Sequence, residues 1–590
     1  MLFRSLAADQ YDAWTKLILP GVRPAKVDGD ANLDERTWAR RHANLILTNP
    51  DMLHFSILPN HQRWSRILRN LAYLVVDEAH AYRGVFGAHV ALVIRRLRRL
   101  ARHYGSDPTC ITASATAAEP GRFVSTLIGS DVVAIDTDTS ARSERVVVLW
   151  NPWGEDEDVE ASALRDAAWL TRTAIQSDCQ VLTFSRSRRA TEYLASLVRD
   201  SLGAEGGEVA AYRGGFLAEE RRQLEADLRS GRIRALATTS ALELGIDVSG
   251  VDAVVTAGWP GTRASLWQQF GRSGRATAPS VCVFVAREDP LDRYIVDHPD
   301  ALMTTPVEAN VIDPSNPRIL RPHLCAAAAE VPISEVVSEF PVNAPKVVDD
   351  LVADGLLRRR PKGWFWTARE RPHDSINLRD SGETVRIVEQ GTGRLLGTVD
   401  SSSSHRSVHP GAVYVHQGVT HVVDELDIDA AVALVTQKHV DYTTFARDIS
   451  DIRVLRSLRR WQGRGVVTHW GDVEVASRTV SFDRRATDGT ALGSVALDLP
   501  ERLLTTQAVW WVFDAGSIEG ARIDDLAGAV HAAEHAAIGL LPLYATCDRW
   551  DIGGVSTTFH PDTGATTIFI YDGVPGGGGF AEREIGRAHV

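Results

Sequence analysis

The 590-residue sequence predicts an α/β protein built on two parallel-sheet lobes, followed by smaller domains of different texture. Two observations carry this. Through about residue 290, short apolar runs alternate with amphipathic stretches, the pattern of buried strands joined by covering helices. Beyond about residue 300 the alternation stops, and helical and then strand-like patterning takes over. The strand runs are NLILTNP (44–50), LAYLVVDEAH (71–80), CITASAT (110–116), QVLTFSRS (180–187), IRALATTS (233–240), VDAVVTAGW (251–259) and VCVFVA (281–286). RATEYLASLVRDSL and AEERRQLEADLRSG represent the helices between them. The acidic segment WNPWGEDEDVE (150–160) reads as the link between the lobes. After PRILRPHLCAAAAE come two helical patterns, a turn and an aromatic hairpin. Strands follow over about 373–440, then a strand–helix mixture from about 456 that includes DDLAGAVHAAEHAAIGLL.

Bulk properties exclude several classes. Hydrophobic content of 44% and charged content of 24% are those of an ordinary globular protein. The net charge of −12 provides no global positive field, so a nucleic-acid groove would have to be locally basic. Five cysteines (Cys110, Cys179, Cys282, Cys325, Cys547) without a Cys-x-x-Cys argue against a disulfide framework and against a complete zinc site. MLFRSLAADQ is not a signal peptide, and no apolar run approaches the ~20 residues of a membrane span. The expectation is a cytoplasmic protein with no membrane association.

Leu71–Val76 is long enough for one buried strand and ends in two carboxylates, Asp77 and Glu78, with His80 next. Ligands of open α/β sheets sit at such strand ends. One carboxylate there can hold Mg²⁺ through its water shell, and a second can orient a water for phosphoryl transfer. Then follow, in order, SAT (Ser114–Thr116), FSRS (Phe184–Ser187), YRGG (Tyr212–Gly215), TTSALELGIDV (Thr238–Val248) and QQFGRSGR (Gln268–Arg275). This succession resembles the DEAH/DEAD-box helicases of superfamily two, with an ATP site between two RecA-like lobes.

The resemblance implies roles residue by residue. Asp77 would bind Mg²⁺ and Glu78 would position the hydrolytic water; His80, Ser114 and Thr116 would couple ATP state to lobe movement. Gly245 and Asp247 would approach the nucleotide from the second lobe. Gln268, Arg272 and Arg275 match the family's Q-x-x-G-R-x-G-R, whose guanidinium groups stabilise charge on the transferring phosphate. LTNPD resembles the family's T-x-P-D, making Thr48, Asn49, Pro50 and Asp51 candidate nucleic-acid contacts, with Ser185, Arg186, Arg213 and Thr239 on the second lobe. The basic run RRLRRLAR (95–102) is expected to be a solvated face rather than part of the groove.

A phosphate loop needs G-x-x-x-x-G-K-[ST], and none of the five lysines (Lys16, Lys26, Lys346, Lys362, Lys438) follows a glycine. RSLAADQYDAW (4–14) resembles the helix that follows that loop, and IGRAHV (585–590) is what a common sequencing adapter would encode. The expectation is a chain truncated at both ends, with impaired ATP hydrolysis. The segment 301–372 resembles a winged helix. HPGAVYVHQGVTHVV, VDYTTFARD, LYATCDRWDIGG and IFIYDGVPGGGGFAE resemble the mitomycin-repair (MrfA-like) helicase group. That group implies DNA as partner, three-prime-to-five-prime unwinding, repair of lesions, and a zinc region whose cysteines are expected beyond this sequence.

The expected fold is therefore two RecA-like lobes, the first incomplete, then a winged helix, a β-rich segment and a mixed α+β region. Boundaries fall at 1–140, 141–300, 301–372, 373–455 and 456–590. Single-stranded DNA and duplex junctions are the expected partners, and a monomer the expected state.

HAAEH (His531–His535) matches the H-x-x-E-H of some zinc peptidases, but the surrounding Ala/Leu pattern reads as a buried or DNA-facing helix. PGGGGF (575–580) lacks Lys-Ser/Thr and reads as a turn, and GWFWTAR (363–369) as aromatic packing. Three other readings stay open: a non-catalytic nucleic-acid clamp, an RNA or Lhr-type helicase, and a zinc-dependent peptidase.

Overall fold

A computed structural model describes residues 2–585, apart from 30, 138, 140–142, 154–161, 214–215, 217, 244–249, 275–278, 335–338, 379–383, 417–418, 464, 487–489, 522, 544–546 and 548–550. Gly245, Asp247, Arg275, most of the acidic link and the last five residues therefore lie outside the described residues.

In the first lobe, β1 (Pro24–Val27) pairs in parallel with β2 (Leu45–Thr48), and β3 (Tyr73–Val76) with β4 (Thr109–Thr112). These are two separate pairs among the described residues, not one continuous sheet. Helix α1 (Gly84–Tyr104) covers one side of β3–β4, its Val90, Ala91 and Ile94 packing with Val76. Two-residue alternation puts Tyr73, Val75 and Ile111 on the other side, where they are 65%, 62% and 47% exposed. Coverage on both faces is thus observed in the second lobe but not here.

The second lobe is one parallel sheet of six strands: β5 (Arg145–Trp150), β6 (Val181–Ser185), β7 (Val209–Tyr212), β8 (Ala235–Thr238), β9 (Ala253–Ala257) and β10 (Ser280–Val285). Their spatial order is β5-β10-β9-β6-β8-β7. Strands β6, β8 and β9 are buried at every position, which explains their unbroken apolar runs. Helix α2 (Arg263–Phe270) is capped at its start by Thr262, whose hydroxyl accepts from Ser265 N at 3.0 Å.

Helices α3 (Pro317–Glu330) and α4 (Ala344–Ala353) and the hairpin of β11 (Leu357–Arg360) with β12 (Gly363–Trp366) make up the described part of the winged-helix segment; the first of the two helices expected after PRILRPHLCAAAAE falls on 335–338, outside the described residues. Trp364 and Trp366 pack on that core, as the aromatic-packing reading requires, while Arg359 and Arg360 lie over Trp364 and Phe365. Next comes a five-stranded sheet of β13 (Thr384–Glu389), β14 (Leu395–Asp400), β15 (Val413–His416), β16 (Val419–Asp427) and β17 (Val432–Gln437). A second β-sheet holds β18 (Tyr442–Gln462), β19 (Val466–Ala486), β20 (Ala491–Ala496), β21 (Arg502–Phe513), β22 (Ile552–His560) and β23 (Ala565–Asp572). Strand β18 runs across the boundary expected at 455, so the β-rich segment ends near 440.

The basic run 95–102 corrects the solvated-face expectation. Arg96 is fully buried on α1, where it donates to Glu330 of α3 and to Nδ1 of His54 (2.9 Å) and His323 (3.2 Å). Guanidinium has only donors, so both imidazoles accept at Nδ1 and carry their proton on Nε2. His54 then donates to His373 O (3.1 Å), His323 to His89 Nδ1 (2.9 Å), and His373 Nε2 to Glu330 (3.1 Å). Arg99 donates to Ala327 O, Val331 O and Pro332 O. The charge run fastens the first lobe to the winged helix, and distant partners make its burial tolerable.

Helix α5 (Leu526–Leu540) likewise departs from the buried-helix reading: most of it is exposed, and its buried residues are Val530 and Glu534. The stretch Leu526–Leu543 is also long and apolar enough to cross a membrane by length and composition, unlike the sequence expectation. Here it is laid on β22, with Glu534 accepting from Ser556 Oγ at 2.6 Å.

Candidate nucleotide and nucleic-acid site between the lobes

Strands β3 and β4 end in register, Val76 opposite Thr112, so the Asp77–Glu78 turn leaves the sheet beside Ser114. Ala113 N donates to Val76 O (3.0 Å) and Ala79 N to Ala113 O (2.9 Å), stitching the two loops together. Glu78 takes the left-handed conformation (φ 49°), and its amide donates to Asp77 Oδ1 at 2.9 Å. Holding a bulky residue there costs on the order of 1 kcal/mol or more, a strain found at functional turns. It sets two carboxylates side by side at the strand end.

Burial pushes the Glu78 carboxyl up, and Asp77 pushes it further; Arg272, from the opposite lobe, pulls it back. His80 is buried, and burial with Arg83 nearby lowers its pKa to about 4, so it is neutral at physiological pH. Its Nδ1 lies 3.1 Å from Ser114 Oγ and 3.4 Å from Glu78 Oε2.

The lobes meet directly here. Gln268 Nε2, on α2, donates to Thr116 Oγ1 at 3.0 Å, joining the QQFGRSGR element to the SAT element. Arg272 follows α2 and donates to the carbonyl of Glu243. Asp77, Glu78, His80, Ser114, Thr116, Gln268 and Arg272 thus gather around one junction.

Two organising residues went unnoticed in the sequence. Buried Glu243 accepts from Gln269 Nε2 (2.6 Å) and Ser265 Oγ (2.9 Å), orienting α2. Glu308 accepts from the amides of Arg263 (2.7 Å) and Ala264 (3.1 Å) at the helix start. The carboxylate inside apolar ALELGID was the available signal for Glu243; nothing local marked Glu308.

The expected nucleic-acid residues divide. Thr48 ends β2 and spends its hydroxyl on Val27 O at 2.7 Å; Asn49 caps the turn through Met52 N (2.8 Å), with Pro50 and Asp51 opening it. Ser185 is buried against Thr191 (2.8 Å), Arg186 is exposed, and Thr239 caps a short turn after β8. Arg213 corrects the expectation of a strand-facing contact. It is 1% exposed, paired with Glu192 (2.9 Å), donates to Val415 O (2.9 Å) and lies over Phe216. It locks the second lobe to β15.

The glycine-rich PGGGGF turn wraps an anion of the protein itself. The amides of Gly578 (2.7 Å), Gly579 (2.9 Å) and Ala581 (2.8 Å) donate to the buried Asp572 carboxylate. Burial outweighs these donors and raises its pKa to about 6.

A known structure, helicase MrfA bound to DNA, superimposes on this chain with a TM-score of 0.84 at 34% identity, covering 99% of this chain and 80% of that one. The ATP-dependent helicase YprA of Bacillus subtilis is 35% identical over 599 residues, covering 99% of this chain and 79% of YprA. The chain belongs to the MrfA-type ATP-dependent helicases. MrfA bound to DNA and AMPPNP matches with a TM-score of 0.82. The helicase hrq1 of Schizosaccharomyces pombe is 30% identical, with 93% of this chain matching 54% of that protein, so the chain spans about half the hrq1 length. Family models match at 3–123 (DEAD/DEAH box helicase), 164–277 (helicase conserved C-terminal domain), 312–381 (HRQ1 winged helix domain) and 533–588 (MrfA Zn-binding domain). The two lobes are the RecA-like lobes of this family, followed by its winged helix and a β-rich C-terminal region.

The last match implies zinc. Within 533–588 the sequence has one cysteine, Cys547, and it sits in an apolar cluster with Trp470, Leu541 and Phe580, so sulfur donors do not fit there. Among the described residues, His531, Glu534 and His535 form a donor group whose ligand atoms all lie within 4.8 Å of one another.

Proposed function

We propose that this chain binds single-stranded DNA and duplex junctions across the two lobes and belongs to a monomeric, cytoplasmic helicase acting three-prime to five-prime in repair. The Gln268–Thr116 contact carries the proposal, because it ties the expected nucleotide-sensing elements of both lobes into one unit. Asp77 would hold Mg²⁺ through water, and the ion would neutralise phosphate charge. The two carboxylates at the end of β3, with the Arg272 charge acting on Glu78, suit that assignment. Glu78, with its carboxyl raised and held in a fixed turn, orients the attacking water; His80, neutral, passes its position to Ser114. Arg272 would meet the phosphates from the second lobe; Arg275, Gly245 and Asp247, expected to join it, lie outside the described residues. Thr48, Asn49, Pro50, Asp51, Ser185, Arg186 and Thr239 line the strand path.

The division at 1–140, 141–300, 301–372, about 373–440 and the remainder is the working domain map. Because the 590 residues contain no G-x-x-x-x-G-K-[ST], we expect this polypeptide to hydrolyse ATP poorly while retaining DNA binding. Anisotropy with labelled single-stranded DNA, competed by matched RNA, and ATP turnover against Glu78→Gln test both parts. DNA should compete better than RNA, and turnover should stay near the variant's background. Preference for RNA would favour an RNA-helicase role, and robust DNA-stimulated turnover abolished by Glu78→Gln would overturn the expectation for the phosphate loop.

A further inference from the structure

We propose that His531, Glu534 and His535 on α5 form a site for one divalent transition ion of the zinc class. Positions i, i+3 and i+4 share a helix face. His531 Nδ1 lies 3.5 Å from Glu534 Oε2. Ligands of tetrahedral zinc at ~2.0–2.1 Å stand about 3.4 Å apart, so this pair already has the spacing of an occupied site. The His535 ring lies 4.5 Å from that of His531, edge to face, and the whole donor set falls within 4.8 Å. A rotamer adjustment of about 1 Å at an exposed histidine closes it.

The second observation concerns Glu534. It is only 6% exposed, although the helix around it is largely open to solvent. Among the described residues no Arg or Lys pairs with it; its partners are His531 and the Ser556 hydroxyl. Gly554 makes room for it, since a Cβ there would fall 2.5 Å from Glu534 Oε1. A carboxylate packed in this way calls for a compensating positive charge. An ion held by two imidazoles and this carboxylate supplies it, with Ser556 Oγ donating to the same Oε2 that faces His531 and a fourth position open to water. Two nitrogens and one oxygen favour zinc, nickel or copper over magnesium or calcium. The site uses no sulfur and stands on its own geometry, independent of the helicase reading.

The test is titration of the metal-stripped full chain with Zn²⁺ against a chromophoric chelator, with Co²⁺ absorption as a spectroscopic readout. One equivalent should bind, and the Co²⁺ form should show tetrahedral bands without a thiolate charge-transfer band. His531→Ala/His535→Ala should abolish binding while leaving the circular dichroism unchanged, because both side chains are exposed. Ser556→Ala should weaken binding about tenfold, and Cys547→Ser should leave it intact. Less than half an equivalent bound by wild type, binding retained in the double variant, or binding lost in Cys547→Ser would each overturn the proposal.

Discussion

Replacing Arg96 with Met is the severest test of how the first lobe and the winged helix are joined. Arg96 and Glu330 are both fully buried, and Arg96 also fills Nδ1 of His54 and His323. Burial alone would raise the Glu330 carboxyl, yet Arg96 and the hydrogen bond from His373 hold it down at about 2. Removing one partner of a buried pair costs about 3–5 kcal/mol, since the remaining charge has neither water nor counter-ion. Two imidazole acceptors lose their donor as well, so the upper end of that range is expected. Against typical domain stabilities of about 5–15 kcal/mol, this should separate the winged helix from the first lobe. Urea unfolding followed by tryptophan fluorescence measures it, since Trp364 and Trp366 report on that core. Arg96→Met/Glu330→Leu, which removes both charges, should recover more than half of the loss. A single variant within about 1 kcal/mol of wild type, or a double variant less stable than the single, would refute the reasoning.

Three further outcomes follow from the same geometry. Burial lowers the pKa of His54 to about 3, with Arg96 adding to the effect, and that of His89 to about 4. A folded pKa below the unfolded 6.5 gives stability that is present above pH 6.5 and lost as pH falls toward the folded value. At pH 5 the loss is about 2 kcal/mol per histidine, readable as a drop in Tm between pH 7.5 and 5; no drop would contradict the neutral network. Arg213→Ala should destabilise by about 3 kcal/mol through the stranded Glu192 and leave the salt dependence of DNA binding unchanged; a reduced salt slope would restore Arg213 as a phosphate contact. Gln268→Ala and Thr116→Val should each weaken DNA binding, with a combined effect no larger than either alone; additive losses would show that the two side chains act separately.

The chemistry of the ATP side was legible because it is local: carboxylates at a strand end, a hydroxyl at the next strand end, arginines after a helix. Their succession identified the lobes even though no single motif is specific. Burial of polar groups was not legible. Arg96 reads as surface until Glu330 and His323, more than two hundred residues away, fold over it. Arg213 sits in an element typical of strand contacts, yet Glu192 and Val415 O claim its guanidinium. Helix α5 reads as core from its alanines and leucines, yet it rests on β22 through a carboxylate that Gly554 admits. In each case the deciding partner lies on another element, and helical or strand periodicity carries no record of it.

The claim on which the rest depends is that the two lobes face each other across one cleft, pinned where Thr116 meets Gln268. Replacing both with cysteine, with the partly exposed Cys110 and Cys179 changed to serine, allows a short thiol-specific fluorogenic cross-linker to measure that distance directly in solution. The account predicts an intrachain cross-link that forms faster with single-stranded DNA present. Labelling without cross-linking, with or without DNA, would contradict it.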